Sequence, residues 1–452
     1  MNPGNGHIFK TQASADMAAA ANEKPILTGT RATAQPVARR FNARWILLVL
    51  MALTPILQHY EGILVNPSLA ITAGTAMIAL VWLLGRRTKV STGFVLLAAY
   101  GVYASLIHGI EVTHFLREMV QLVIYLAVLN GFFDMMKLRK YCCIIAVIAT
   151  VLIILQYFCF YILGFHLQLV AIPLLKSTNS QWFELIRTGM VGVNGKRLSF
   201  YRPSAFFLEP SHFAIYCIPV IVTTLFSRTG DTTKQRLVAL FISVGVFLST
   251  SGMGIGVIAA CWALYLLFFY GEKGKARTIR LSKLVDPRSV ALFAVLLVVM
   301  VALYAFVPVF QKSVSRIFNL QGIYKTSAIA GRTTTGARSL RMLSGIQTLI
   351  GMGNKYDIAD WNMAAFFFVT FKFGWIGTVL FYSFYFYSLF KVKREALVMI
   401  IIFLPLSFFT VHMFGAYYKM FYTMIILFGY VQNRQESAET ALGALQLSGN
   451  QS

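Results

Sequence analysis

Apolar runs of roughly the 20 residues that cross a bilayer recur along the chain between two polar ends. This pattern predicts about twelve membrane-spanning helices. The runs cover residues 44–58, 68–85, 91–107, 118–134, 141–163, 210–227, 237–250, 254–270, 289–308, 363–390, 396–411 and 414–431. The run at 363–390 is overlong, and its segment Phe371-Lys372-Phe373-Gly374 predicts a break before the true span. We therefore expect an all-α polytopic membrane protein.

The polar segments divide the chain into regions. Residues 1–43 and 432–452 are predicted to be disordered cytoplasmic tails, because they are polar and lack long apolar runs. Residues 44–431 form the predicted transmembrane domain. Two long connections, 164–209 and 309–361, interrupt the spans, and we expect them to be periplasmic loops that contain short helices.

Composition supports a chain that is dissolved in lipid. Hydrophobic residues make up 58% of the sequence and charged residues 12%, whereas about a quarter of the residues of a soluble domain are charged. The net charge of +24 indicates an anionic partner, an anionic membrane surface or the orientation of a membrane protein. Basic clusters fall on alternate connections, which predicts that both termini are cytoplasmic. Nucleic acid is excluded as a partner, because the basic residues form no soluble domain with interleaved aromatic residues.

The two long connections are basic although they lie on the predicted outer side. The first carries five basic residues and the second carries seven. They are Lys176, Arg187, Lys196, Arg197 and Arg202, and then Lys312, Arg316, Lys325, Arg332, Arg338, Arg341 and Lys355. Long loops are translocated largely regardless of charge, so these residues are either merely solvated or form surfaces that hold an anion.

The first connection ends in a segment suited to acid–base chemistry. Pro210 suits the first position of a helix, which places Glu209 at the helix N-terminus, where the dipole favours a carboxylate. His212 and Tyr216 are expected on the same face of this helix. Beside Arg197 and Arg202, Glu209 could accept a proton next to a bound anion. The alternative is a structural Glu–Arg pair with an interfacial histidine.

The second connection predicts a helix over residues 336–350 that is capped by the threonines before it. Leu340, Leu343 and Ile350 recur on one side. Arg338, Arg341 and Gly345 recur on another, where two guanidinium groups would suit bidentate phosphate binding. The alternative is a solvated arginine face.

Several patterns of other protein classes do not occur. Asp357 and Asp360 lack the spacing of a DxD motif, no P-loop is present, and the histidines lack metal-ligand spacing. The spans contain few ionisable residues, which does not favour an ion-coupled transporter. The residues noted are Arg117, Glu118 and Lys372.

Three stretches resemble the Wzy-type polysaccharide polymerases and O-antigen ligases of bacterial inner membranes, which are membrane glycosyltransferases. The stretches are Arg202-Pro203-Ser204 to Glu209-Pro210-Ser211, Arg332 to Gly353, and Asn362 to Gly374-Trp375-Ile376-Gly377. The turn from Ser249 to Gly254 also resembles a Ser/Gly-rich hairpin of this superfamily. The resemblance spans residues 44–431. It rests on the order and placement of loose motifs.

The resemblance implies the polymerisation of oligosaccharide repeat units that are linked to undecaprenyl diphosphate, on the periplasmic face and without a metal or other cofactor. It implies that Arg332, Arg338 and Arg341 hold the diphosphate, and that Arg197 and Arg202 hold the second lipid or an acidic sugar. Glu209 would be the base, and His212, Tyr216 and Asn362 would contact substrate. Membrane lipid and a protein that regulates chain length are the expected partners.

Other functions remain open at the level of sequence. A ligase of the same superfamily would transfer finished glycan to another acceptor, but residues 309–361 lack the histidine that ligases tend to use there. A transporter of lipid-linked sugars would move its substrate without forming a bond. A peptidoglycan polymerase and an unrelated fold are further alternatives.

Overall fold

A computed structural model provides the structure of the chain. It describes residues 44–61, 66–107, 112–165, 167, 176–177, 201–226, 232–268, 328–353 and 363–391, with shorter stretches inside 291–311 and 398–429. The predicted tails, 1–43 and 432–452, lie outside the described residues.

The regular secondary structure of the described part is helical apart from one two-residue strand pair, which agrees with the predicted all-α class. In chain order the elements are α1 (Arg44–Leu57), β1 (Tyr60–Glu61), α2 (Pro67–Leu84), α3 (Thr92–Ile107), α4 (Val112–Leu129), α5 (Met135–Tyr161), β2 (Lys176–Ser177), α6 (Pro210–Leu225), α7 (Thr232–Leu248), α8 (Gly252–Phe268), α9 (Ala328–Leu340), α10 (Ile346–Ile350) and α11 (Ala365–Lys391). The two strands are antiparallel, with Tyr60 opposite Ser177 and Glu61 opposite Lys176.

Three described segments are long and apolar enough to cross a membrane: Pro67–Leu84, Met135–Tyr161 and Ala365–Tyr387. Shorter apolar helices are Arg44–Leu57, Thr92–Ile107, Pro210–Leu225 and Gly252–Leu266. Large apolar side chains are exposed on the outside of the bundle, among them Val81 at 73% and Leu84 at 78%. Exposed apolar side chains of this kind are stable in contact with lipid, so the chain is a helical membrane protein.

Helix α6 is the centre of the bundle, because its residues are buried on all sides apart from half-buried Ser211. Helices α5, α7 and α8 pack around it. Pro219 inside α6 has no N–H to donate to the carbonyl of Ile215, one turn earlier. The hydroxyl of Tyr422 donates to this carbonyl instead, at 3.1 Å. A side chain from the C-terminal helical turns thus satisfies the backbone that the proline leaves open.

The helices run between two ends of the bundle. The amide side chain of Asn130 pairs with the backbone of Lys89, which places the start of α3 beside the end of α4 and the start of α5. We call this the basic end. Helices α3 and α5 therefore both run from the basic end toward the opposite end of the bundle, which we call the loop end.

Two helix boundaries differ from those predicted. Helix α4 ends at Leu129, because the N–H groups of Gly131 and Phe132 bond back to Val128 and Ala127 in a Schellman arrangement. The carboxylate of Asp134 then accepts the N–H of Lys137 and caps α5. The basic residues at 137, 139 and 140 consequently lie in the first turns of α5, and not in a connection as the hydrophobic pattern indicated.

Candidate functional site

Glu209 lies at the N-terminus of the central helix, as the sequence predicted. Its backbone is extended, Pro210 is the first helical residue, and no side-chain hydrogen bond caps the helix. The carboxylate is half-buried and accepts a hydrogen bond of 2.8 Å from the hydroxyl of Ser211. The carboxylate therefore lies at the positive end of the helix dipole. It is the candidate proton acceptor of the site.

Side chains hold the segment before Glu209 in place, because its backbone lies outside any helix or sheet. The Tyr161 hydroxyl donates to the carbonyl of Tyr201 at 2.9 Å and accepts the Tyr201 N–H at 3.1 Å. The Ala205 N–H donates to the amide oxygen of Gln156 at 2.9 Å. The strand pair also ties this connection to the residues after α1. These contacts tie the approach to Glu209 to helix α5 and to the strand that follows α1.

Tyr60 adds a further support to the same segment. Its hydroxyl donates to the carbonyl of Phe206 at 3.3 Å. Burial raises the pKa of Tyr60 above the ordinary value of a phenol. Burial, with a smaller contribution from neighbouring Tyr161, also raises the pKa of Tyr201. Both phenols therefore stay neutral at physiological pH, and the Tyr60 hydroxyl remains a donor.

The histidine on the first turn of α6 is paired with another histidine. The rings of His59 and His212 stack with their centroids 4.3 Å apart and their planes 1° from parallel. His212 is 2% exposed, so His59 covers one face of its ring. Arg202, seven residues before Glu209, is half-buried at the same end. The pairing of His59 with His212 was not predicted, because the two residues are far apart in sequence.

Tyr216 belongs to the packing of the core. Its side chain is fully buried, and its hydroxyl donates to the carbonyl of Ala52 in α1 at 3.0 Å. Its ring stacks on Phe421 with centroids 5.2 Å apart. The expected helical spacing from Glu209 is present, but α6 is surrounded by other helices. We therefore leave Tyr216 out of the candidate site.

The Ser/Gly-rich turn connects α7 to α8 at the loop end and packs against α6. Ser249, Thr250 and Ser251 are all buried, and Thr250 has a φ of 56°. A Cβ added at Gly254 would lie 2.5 Å from the Cβ of Ala214. Because that alanine follows His212 by two residues, the turn lies close to the start of the central helix.

The second connection differs from the predicted single helix over residues 336–350. Helix α9 ends at Leu340, α10 begins at Ile346, and Gly345 between them has φ 55° and ψ −126°. The chain leaves α9 through a tightened turn in which Met342 and Leu343 donate to carbonyls three residues earlier. The threonines at 333–335 lie inside α9 and so do not cap it. Gly345 is consequently not on a common helical face with the arginines.

Leu340 and Leu343, which the apolar spacing placed on one side, pack toward the first half of α11. Leu340 and Leu343 contact a buried cluster formed by Met352, Met363 and Phe371. The Ser339 hydroxyl is buried and donates to the carbonyl of Gly336 at 2.7 Å. Arg338 and Arg341, one turn apart, are exposed on the other side. Among the described residues neither guanidinium has an ion-pair partner.

Gly351 and Gly374 form a close contact, the glycine junction, between the end of α10 and the middle of α11. Helix α11 breaks at Gly374, with φ 65° and ψ −171°, which confirms the predicted break. A Cβ at Gly351 would overlap the carbonyl of Lys372, and a Cβ at Gly374 would overlap the carbonyl of Leu349. The Met352 N–H donates to the Phe371 carbonyl at 2.9 Å. The chain after α10 thus sits directly in the kink of α11.

Helix α3 ties the junction to the loop end. The Tyr103 hydroxyl lies 2.9 Å from the carbonyl oxygen of Phe373 and 3.3 Å from that of Ile350. Gly353 lies against the carbonyl of Ile107, the last residue of α3. The arginines of the second connection and Glu209 of the first therefore lie at the same end of the bundle.

Three further predicted site residues lie wholly or partly outside the described part of the chain. Arg197 and Asn362 lie outside the described residues. Arg332 is inside α9, but its side chain lies outside the described part. Within the described ranges, no group of three or more His, Cys, Asp or Glu side chains is arranged to hold a metal. The candidate site residues described at this end are therefore Glu209, half-buried Arg202, His212 with its partner His59, and exposed Arg338 and Arg341.

The sequence identified Glu118 but missed its partner. Lys419, which lies in the apolar run 414–431, donates to both carboxylate oxygens of Glu118. An ionisable residue within an apolar run was the available signal. The pairing itself joins positions that are far apart in sequence.

We compared the chain with known proteins. No model of a protein family matches it, and no curated protein matches it significantly.

Proposed function

We propose that the chain is a membrane glycosyltransferase that polymerises oligosaccharide repeat units linked to undecaprenyl diphosphate. In this proposal about twelve helices span the bacterial inner membrane, both termini are cytoplasmic, and the loop end faces the periplasm. The product is a surface polysaccharide or an exopolysaccharide. The function rests on the resemblance of the loop motifs and on the chemistry of the residues at the loop end.

The observation that carries the proposal is the pair of exposed arginines at the end of α9, beside the residues that pack toward α11. Arg338 and Arg341 have no ion-pair partner among the described residues, and Leu340 and Leu343 beside them pack against the buried cluster described above. A diphosphate leaving group develops negative charge as its bond to the sugar breaks. Guanidinium groups in fixed positions stabilise such charge without a metal ion.

Glu209 supplies the second requirement of the reaction. The hydroxyl oxygen of the acceptor sugar attacks the anomeric carbon of the donor glycan, and Glu209 accepts the hydroxyl proton. The bond from the anomeric carbon to the diphosphate oxygen breaks. Undecaprenyl diphosphate departs with the electron pair, beside Arg338 and Arg341. Arg332 would join Arg338 and Arg341 at the leaving diphosphate, and Arg202 with Arg197 would hold the second lipid or an acidic sugar.

The glycan profile of a deletion strain tests the proposal. Loss of a polymerase leaves single repeat units on the final acceptor, because the units are made and exported but not joined. Accumulation of full-length polymer on the lipid carrier would instead identify a ligase. Unchanged polymer, or repeat units trapped on the cytoplasmic face, would contradict a polymerase.

Complementation then tests the residues. A gene with Arg338→Ala should restore only single units, whereas Arg117→Ala should restore long polymer. Arg117 is a suitable control because it is an exposed arginine near the start of α4, at the same end of the bundle. Equal protein levels in membranes must accompany both results. Normal polymer length with Arg338→Ala would remove this arginine from the mechanism.

A further inference from the structure

A cluster of aromatic and basic side chains lies at the basic end, away from the site described above. The guanidinium carbon of Arg86 lies 4.3 Å from the ring centroid of Trp82. The guanidinium carbon of Arg44 lies 5.5 Å from the same ring and 5.2 Å from that of Phe132. Trp82 and Phe132 meet edge to face, with centroids 5.2 Å apart. We call Arg44, Trp82, Arg86 and Phe132 the tryptophan cluster.

Stacking on Trp82 uses the plane of the Arg86 guanidinium and leaves its edge for another partner. Cation–π contacts hold a guanidinium over a ring, while the N–H donors point outward in its plane. Arg86 is exposed and has no ion-pair partner among the described residues. The nearby carboxylate of Asp134 is paired with Lys137 at 3.1 Å. Within the described part of the chain no carboxylate pairs with Arg86, so its stacked guanidinium is preorganised for an anionic ligand.

The indole of Trp82 adds an unused donor. Its Nε1 atom is buried and has no hydrogen-bond partner within the described part of the chain. Tryptophan indole groups are enriched at the boundary between membrane and water, where the ring is apolar and the N–H is polar. Trp82 lies at such a position, in the last turn of a helix that is long enough to span the membrane.

An apolar surface continues from the cluster along α2. Met77 is 69% exposed, Val81 is 73% exposed and Leu84 is 78% exposed. These side chains precede Arg86 by two to nine residues, so they line the same end of the helix. A ligand that satisfies the whole surface has an anionic head and long apolar chains. Inorganic phosphate would satisfy only the arginines.

We propose that the tryptophan cluster binds the phosphate head of an anionic phospholipid, whose acyl chains lie along the exposed face of α2. Arg86 contacts the phosphate oxygens from its stacked position on Trp82, and Arg44 adds positive charge beside the same ring. The bound lipid ties together the start of α1, the end of α2 and the turn after α4. This inference is independent of the proposed polymerase function.

Native mass spectrometry of the detergent-solubilised full chain tests this site. Phosphatidylglycerol and phosphatidylcholine with the same acyl chains are titrated separately, and inorganic phosphate forms a third arm. The wild-type chain should retain phosphatidylglycerol in preference to phosphatidylcholine. Arg86→Ala should weaken phosphatidylglycerol binding about fivefold, the usual contribution of one basic residue near an anionic surface.

The neighbouring residue Arg87 is the matched control, because it is equally exposed but has no ring contact among the described residues. Arg87→Ala should leave phosphatidylglycerol binding close to that of the wild type. Trp82→Phe, which removes the indole N–H, should weaken it as well. Equal losses for Arg86→Ala and Arg87→Ala would show nonspecific attraction and overturn the site. Equal binding of both lipids would also overturn it. Displacement of phosphatidylglycerol by inorganic phosphate at the same concentration as the lipid would overturn it too.

Discussion

Lys419 binds both carboxylate oxygens of Glu118 in the interior of the bundle, at 2.9 Å and 2.8 Å. The lysine side chain is 2% exposed and the glutamate side chain 23% exposed. The ammonium group also lies 4.6 Å from the ring centroid of Tyr100. Three residues after Lys419, Tyr422 bonds to the central helix. The C-terminal helical turns therefore connect α4 to the helix that carries Glu209.

Breaking this ion pair should destabilise the protein. Removing one partner leaves the other charge buried without compensation, which costs about 3 kcal/mol. We expect Lys419→Met to lower the free energy of unfolding by about this amount, measured by thermal or denaturant unfolding in detergent. The variant Lys419→Met with Glu118→Leu should recover most of the loss, because neither charge remains. A double variant as unstable as the single one would contradict a direct pairing energy.

Tyr422 should act through the backbone of α6. Tyr422→Phe leaves the carbonyl of Ile215 without its donor and should cost about 1–3 kcal/mol. Replacing Pro219 by alanine in the same variant restores a backbone N–H one turn away, so the double variant should lose less. Unfolding of the two single variants and the double variant measures this coupling. If Tyr422→Phe is equally harmful with and without Pro219, the carbonyl is not the reason.

The glycine junction should tolerate no side chain. In Gly351→Ala and Gly374→Ala the added methyl group would overlap backbone atoms, and both residues have positive φ. We expect either change to detach α9 and α10 from α11 and to abolish polymer formation. Gly74→Ala is the control, because the added Cβ meets nothing within 4 Å and alanine favours a helix by about 1 kcal/mol. Protease cleavage after α9 in the variants, but not in the control, reports the detachment.

Arg338 should matter for activity and not for stability. It is exposed at the end of α9 and has no ion-pair partner among the described residues. In the proposed mechanism Arg338→Ala lowers the rate of polymerisation by about 100-fold, as for the loss of one positioned donor. Arg338→Lys keeps the charge but loses the planar fork, so its rate should fall between that of the wild type and that of Arg338→Ala. A melting temperature of Arg338→Ala well below that of the wild type would show a structural role instead.

Local signals predicted the parts of the fold that depend on local chemistry. Pro210 marked the start of α6 and the position of Glu209, because proline fits the first turn of a helix. Gly374 marked the break in α11, where a side chain would collide with the neighbouring backbone. The apolar spacing of Leu340 and Leu343 identified the packed side of the second connection.

The remaining features depend on contacts between distant segments. Helical periodicity predicted one helix over 336–350, but the fit of α10 into the kink of α11 requires a turn at 341–345. Tyr216 shares the helix of Glu209, yet the position of α6 at the centre of the bundle buries it. The partner of Glu118 and the stacked histidines are set by packing, which a single sequence does not encode locally.

Polymerisation by the purified protein tests the central proposal most directly. The chain is reconstituted in liposomes with a chemically defined lipid-linked repeat unit and with EDTA, and product length is resolved on gels. We predict ladders of two or more units from the wild type and from Arg117→Ala, and single units only from Glu209→Gln and Arg338→Ala. Absence of any ladder from the folded wild-type protein with its cognate repeat unit, or wild-type ladders from both Glu209→Gln and Arg338→Ala, would contradict the account.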